Sequence, residues 1–123
     1  MEYEDLTHKI IGCAYKVFIQ LGFGFLESVY RKAMVIELEK AGLKVDEERP
    51  LEVYYDDIVV GKVSLDLFVE DTIVVELKSV QRLLIEHEVQ LVKYLKGVKR
   101  DIGLLINFGE NRVEIKRKVR KLS

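Results

Sequence analysis

Asp66, Glu76 and Lys78 stand in the stretch SLDLFVEDTIVVELKSV, residues 64–80, and are the residues of this chain best suited to chemistry. Around them nearly everything is Val, Leu, Ile or Phe, the composition of a buried strand. Charged groups in such a setting are costly unless they are paired or bind an ion. Side chains alternate across a strand, so Glu76 and Lys78 share one face, roughly 6–7 Å apart, while Val75 and Leu77 take the other. Two carboxylates converging from adjacent strands make a hard, oxygen-rich site suited to Mg²⁺ or Mn²⁺. Such a cation polarises a phosphate and acidifies water. A lysine beside it steadies developing negative charge or holds a water. The chemistry that uses all three is metal-assisted phosphodiester hydrolysis. A second reading stands beside it: Lys78 forms a cross-strand ion pair with Asp66 or Glu76 on a solvated sheet face, a pattern that arises freely.

The metal reading imposes a condition on register. Facing residues of an antiparallel pair point to the same side of the sheet. A two-residue loop, Glu70–Asp71, would set Val69 opposite Thr72 and turn Asp66 away from Glu76. An odd loop, Glu70 to Thr72, sets Val69 opposite Ile73 and Asp66 opposite Glu76; a β-bulge between them is the other solution.

The elements that must position these residues are legible from periodicity. Residues 5–21 read as an amphipathic helix with Leu6, Ile10, Cys13, Ala14, Val17 and Leu21 on one face. Cys13 therefore reads as core packing rather than as a nucleophile. LGFGF breaks that helix with two glycines, and a second helix runs from about Leu26 to Ala41, stopping at Gly42. Alternating, Val- and Tyr-rich strands follow, with turns expected at Asp56–Asp57 and Glu70–Asp71. Helix returns near Glu86 to Gly97. IGLLINFG reads as a buried strand and RVEIKRKV as a last, half-exposed one. The order is ααβββαββ, an α/β fold with a mixed β-sheet flanked by helices.

The 123 residues amount to one domain, 1–123, long enough for a hydrophobic core without disulfides. Cys13 is the only cysteine, which excludes a disulfide framework and a Cys-based zinc site. No apolar run approaches the roughly 20 residues of a membrane span. The acidic N-terminus lacks a signal-peptide core, so a cytoplasmic location and no membrane partner are expected. Net charge is −1 overall, but residues 1–92 hold 10 Lys/Arg against 18 Asp/Glu, and residues 93–123 hold 10 against 3. The basic end, with Lys116, Lys118 and Arg120, could lie on a phosphate backbone; equally, it could guard a strand edge.

Asp66 with Glu76-Leu77-Lys78 resembles the PD-(D/E)XK nuclease signature, with Leu65 in place of the proline. GFLESVY, Gly24 to Tyr30, resembles the GxxExxY motif that names one branch of that superfamily. HEVQLVKYL, His87 to Leu95, contains Gln90-x₃-Tyr94, similar to the QxxxY motif of its exonuclease-like members. GLLINFG followed by VEIKR is similar to the branch's C-terminal strands, so the likeness covers about residues 5–120.

The resemblance implies a restriction-endonuclease-like core and Mg²⁺-dependent hydrolysis of DNA. It implies Asp66, Glu76 and the Leu77 carbonyl as metal ligands, Lys78 as the catalytic lysine and Glu27 completing the acidic cluster. Gln90 and Tyr94 would orient the lysine or a phosphate, with His87 on the same helix face and Lys116 and Lys118 against the nucleic acid. The bland readings are an i,i+4 pair of Glu27 with Arg31, a helix–sheet cap for Gln90 and Tyr94, and a satisfied histidine for His87. Tyr30 reads as packing or hydrogen bonding rather than catalysis. A homodimer could complete the DNA-holding face. Two rival functions stand: a catalytically silent nucleic-acid-binding or scaffold module, and a nucleotide phosphohydrolase using the same metal site.

Overall fold

The computed structural model describes residues 3–120. Helices α1 (Glu4–Leu21) and α2 (Glu27–Lys40) precede strands β1 (Val45–Tyr55), β2 (Ile58–Val69) and β3 (Ile73–Lys78). Helix α3 (Ile85–Val98) and strands β4 (Ile102–Phe108) and β5 (Val113–Val119) complete the chain. The order is the expected ααβββαββ, with element ends within two residues of those read from the sequence.

The five strands form one mixed sheet in the order β1-β2-β3-β4-β5. All neighbours are antiparallel except β3 and β4, which run parallel. A parallel pair needs a long crossover, and α3 supplies it. β4 is buried along its whole length, as befits a strand covered on both faces.

Helices α1 and α2 cover one face. Ile10, Cys13, Ala14 and Val17 pack there with Tyr30, Met34 and Leu38 of α2 against Leu67, Val75, Leu77, Leu104 and Ile106. Burial also pushes the Cys13 thiol up, which fits its packing role. α2 ends as its sequence dictates: Gly42 takes φ 82°, and the Leu43 N–H closes back on the Leu38 carbonyl. Helix α3 covers the other face, where Leu91 and Leu95 meet Leu65, Phe68, Val74 and Leu105. Contact is close at Gly103, where a Cβ would lie 2.9 Å from Leu91 Cδ1. That glycine lets α3 lie low enough for its side chains to reach the sheet beside β3.

β1 and β2 form a long hairpin whose outer half runs beyond the rest of the sheet. Asp56 and Asp57 make its turn, both with positive φ, between the paired residues Tyr55 and Ile58. No helix of the described residues is long and apolar enough to cross a membrane.

Candidate active site

The β2–β3 register is the odd one. Val69 pairs with Ile73, Phe68 with Val74 and Leu67 with Val75. Glu70 and Asp71 both take positive φ, and the Thr72 N–H bonds the Val69 carbonyl, so a tight turn is followed by one extra residue, Thr72. The turn is pinned from outside: Arg49 and Arg100 each reach the Asp71 carboxylate at 3.2 Å, and Arg100 also donates to the Asp71 carbonyl.

Beyond Leu67 and Val75 the ladder stops, and side chains replace it. The Asp66 N–H donates to Glu76 Oε2 at 2.9 Å, and the Leu77 N–H donates to Asp66 Oδ2 at 2.8 Å. Each carboxylate thus satisfies a backbone donor of the other's strand where the strands part. On the far side of β2 the pairing with β1 also skips one position, Glu48, whose φ is 54°. Glu76 follows Val74 in the alternation of β3, on the α3 face; in β2 the alternation breaks at Asp66, since Leu65 and Phe68 both pack under α3.

Glu76 is 6 % exposed. Burial, then the neighbouring Asp66 charge, pushes its pKa from an ordinary 4.5 to about 8; Lys78 opposes this and Glu27 adds to it. Burial raises Asp66 as well, against the Leu77 N–H and the charges of Lys78 and Arg31. Near neutral pH the pair therefore holds a proton on Glu76 in place of a second charge, and a cation bound between the two carboxylates would take that proton's place.

The second oxygens, Asp66 Oδ1 and Glu76 Oε1, accept no hydrogen bond among the described residues, and neither is sealed from solvent. Hard carboxylate oxygens with free lone pairs, next to the Leu77 backbone, fit a small divalent ion. Glu27 does not close up on the pair: among the described residues no group of three or more His, Cys, Asp or Glu side chains gathers as a metal site. It is exposed, at the first position of α2, and acts on Glu76 through its charge.

Lys78 is half-buried at the end of β3, on the same face as Glu76. Its charge lowers both carboxylates, yet it forms no ion pair with either. The cross-strand pairing is thus not what holds these residues. Nor does Arg31 pair with Glu27. It reaches across to β1, where its Nε bonds Glu47 at 2.8 Å and its Nη2 meets Glu48 at 3.1 Å.

From α3, Tyr94 faces the site: its hydroxyl is pushed up by burial and by the charges of Glu76 and Asp66. It also lines a groove of about 640 Å³ between α3 and β1, with Leu51, Val53 and Lys93. Gln90, one turn earlier, is exposed and makes no hydrogen bond among the described residues. His87 is occupied structurally, its Nδ1 accepting the Leu84 N–H at 3.0 Å while its own N–H returns to the Leu84 carbonyl. Lys118 is tied to Glu88 at 2.9 Å and Arg120 to Asp101 at 2.8 Å, which leaves Lys116 exposed on β5 without a carboxylate partner among the described residues.

Sequence reasoning missed Arg31 with its β1 glutamates, and also Asn107. Asn107 is fully buried and opposite Lys78 in the parallel ladder. Its Oδ1 accepts the Val80 N–H, and its Nδ2 donates to the Val80 carbonyl and to Glu114. Glu114 in turn accepts the Leu83 N–H. The segment leaving Lys78 is held by this network and by Ser79, whose hydroxyl donates to the Phe25 carbonyl at 2.8 Å. The signal was available: a lone Asn in an apolar run needs partners. Tyr30 is a packing residue, as read; it stacks on Phe108 at 4.4 Å, and its hydroxyl donates to the Gly22 carbonyl while accepting the Phe25 N–H.

Compared with known proteins, residues 4–118 match the family model described as the PD-(D/E)XK nuclease superfamily. None of the curated proteins matches. Among solved structures, the one described as "Crystal structure of SSO0001" is similar, with a TM-score of 0.63 and 21 % identity. The likeness covers 78 % of this chain and 50 % of that one, so the chain spans half the length of that protein, and at this identity the likeness is one of fold.

Proposed function

The chain belongs to the PD-(D/E)XK nuclease superfamily, and from that footing we propose that it is a Mg²⁺- or Mn²⁺-dependent deoxyribonuclease of the GxxExxY branch. The observation that carries the proposal is the crossed arrangement of Asp66 and Glu76, which brings two carboxylates together where the strands part and leaves an oxygen of each free. In this reading Asp66, Glu76 and the Leu77 carbonyl hold the cation. When bound, it supplies positive charge for the phosphate and makes water more acidic.

The chain's own residues do the rest. The backbone donors of Asp66 and Leu77 fix both carboxylates before substrate arrives, so little reorganisation is needed. Lys78, bound to neither carboxylate, keeps its ammonium for the attacking water or for the phosphate oxygens. Asn107 and Ser79 hold the strand end on which it stands. Glu27 adds negative charge at the rim. Tyr94 and Gln90 orient the phosphate or the lysine from α3, and Lys116 attracts the backbone of the nucleic acid. His87 and Lys118, engaged with Leu84 and Glu88, contribute through the placement of α3.

The test is metal-dependent cleavage of plasmid and single-stranded DNA, with Lys78→Ala as control and mononucleotides as competing substrates. Cleavage lost in Lys78→Ala supports the proposal. DNA binding with no cleavage in either protein would make the chain a silent binding module, and turnover of mononucleotides alone would make it a phosphohydrolase.

A further inference from the structure

The outer half of the β1–β2 hairpin is apolar and uncovered. Tyr55 is 70 % exposed and Ile58 66 %, and Val53, Tyr54, Val59 and Val60 are exposed beside them. These residues occupy both faces of the arm. Tyr55 pairs with Ile58, Tyr54 with Val59, and Val60 is the extra residue of a bulge opposite Val53. Monomers rarely leave so contiguous an apolar patch in water.

Charge limits what can cover it. Asp56 and Asp57 form the tip; farther down the arm Glu52 of β1 stands opposite Lys62 of β2, so the uncompensated charge is at the tip. A phosphate backbone would meet like charge there. Two arms packed tip to tip would bring four aspartates together. The arm therefore fits a surface that is apolar and positively rimmed.

The chain carries such a surface. A groove of about 320 Å³ runs along the outer side of α3 to β5, floored by Ile85, Val89 and Val92 and rimmed by Lys93, Lys96, Lys118 and one acidic residue, Glu88. Ile85 and Val89 are exposed. Lys118 is already paired with Glu88, but Lys93 and Lys96 have no carboxylate partner among the described residues. We propose that two copies of this chain exchange arms, the acidic-tipped hairpin of each seating in the lysine-rimmed α3–β5 groove of the other.

The areas agree. Counting the exposed parts of its two tyrosines and four aliphatic side chains, one arm presents roughly 600 Å² over its two faces. One face enters the groove, so two reciprocal contacts bury roughly 600 Å² of arm and about as much of groove, the lower end of the range of about 1,200–2,000 Å² for specific interfaces. Each arm meets the other copy's groove across a two-fold axis, so the interface is isologous and stops at a dimer. The inference does not rest on the proposed nuclease activity.

Sedimentation of the full chain at micromolar concentration tests it. The wild type is expected to be a dimer. An arm variant (Tyr55→Ser with Ile58→Ser) and a groove variant (Lys93→Glu with Lys96→Glu) are each expected to be monomers, with melting curves confirming that both remain folded. Mixed in equal amounts they are expected to associate more than either variant alone and less than the wild type, because one intact arm then faces one intact groove while the second contact is altered on both sides. A monomeric wild type would overturn the proposal, including one whose arm variant loses DNA binding instead. A groove variant that dimerises like the wild type, or a mixture that associates no more than the separate variants, would also overturn it.

Discussion

Asp66 and Glu76 are crossed: Glu76 accepts the Asp66 N–H, and Asp66 accepts the N–H of the residue after Glu76. Neither side chain hydrogen-bonds the other. Both are aimed by backbone, so removing one charge leaves the other's anchor in place, which makes single substitutions informative.

Calorimetric titration of Mn²⁺ or Mg²⁺ should give one binding event that Asp66→Ala abolishes. Equal affinity in the two proteins would end the shared-site reading.

The stability of the metal-free protein should depend on pH with a definite sign. Glu76 titrates at about 8 in the folded chain against an ordinary 4.5. Between those values the folded state binds more protons than the unfolded one. Stability is therefore greatest at the acid end and falls as pH rises through the window, by at most about 1.4 kcal/mol per pH unit. Asp66, also raised, adds to this in the same direction. Melting curves in chelator from about pH 5 to about pH 9 should show the decline. Glu76→Gln should flatten it and leave the melting temperature near pH 8 unchanged or higher. A large loss of stability in that variant would mean that the Glu76 charge is structural.

Metal binding should release protons. Below pH 8 Glu76 is largely protonated and must ionise to coordinate, so near neutral pH the release is about one proton per cation. Calorimetry in buffers of different protonation enthalpy measures it, and a value of zero in both the wild type and Glu76→Gln would show that Glu76 carries no proton to release near neutral pH.

Asn107→Ala should lower stability by roughly 1–3 kcal/mol, because the Val80 N–H and a Glu114 oxygen lose their buried partner. Denaturant unfolding reads this. A change within ±0.5 kcal/mol, the scale of about any surface substitution, would show that water replaces the amide.

DNA affinity should fall steeply with salt, and the triple variant Lys116→Ala, Lys118→Ala, Arg120→Ala should show a shallower slope. Since Lys118 and Arg120 have carboxylate partners, Lys116→Ala alone should account for most of the change, about one unit of slope. An unchanged slope would leave these residues as guards of the β5 edge.

Much of this architecture can be read from residue types alone, because its signals are local. The 3.6-residue spacing of Ile10, Cys13, Ala14 and Val17 marks α1, the apolar run around Leu104 marks a strand covered on both faces, and the odd β2–β3 register is one of the two solutions that parity leaves for a shared site. The residues that escaped are those whose partners are distant in sequence. Arg31 has an acidic neighbour four residues back, and nothing local says that it bonds Glu47 and Glu48 instead. Lys118 reads as a free cation until Glu88 of α3 is placed above it. His87, whose partner Leu84 is local, is the satisfied histidine that its sequence allowed.

The three-residue connection from Glu70 to Thr72 has a consequence for how this protein can vary. Its composition is constrained at Asp71, whose carboxylate holds Arg49 and Arg100, and by the positive φ of Glu70 and Asp71; its length is constrained for a different reason. Deleting or inserting one residue shifts the phase of β2 by half a pleat, and Asp66 then turns toward α1 and α2 unless a bulge absorbs the change. Adding two residues restores the phase. Homologous chains that keep the two carboxylates should therefore differ in this loop by even numbers, or carry a compensating bulge before Asp66, and indel scanning should divide into tolerated and inactivating lengths by that same arithmetic.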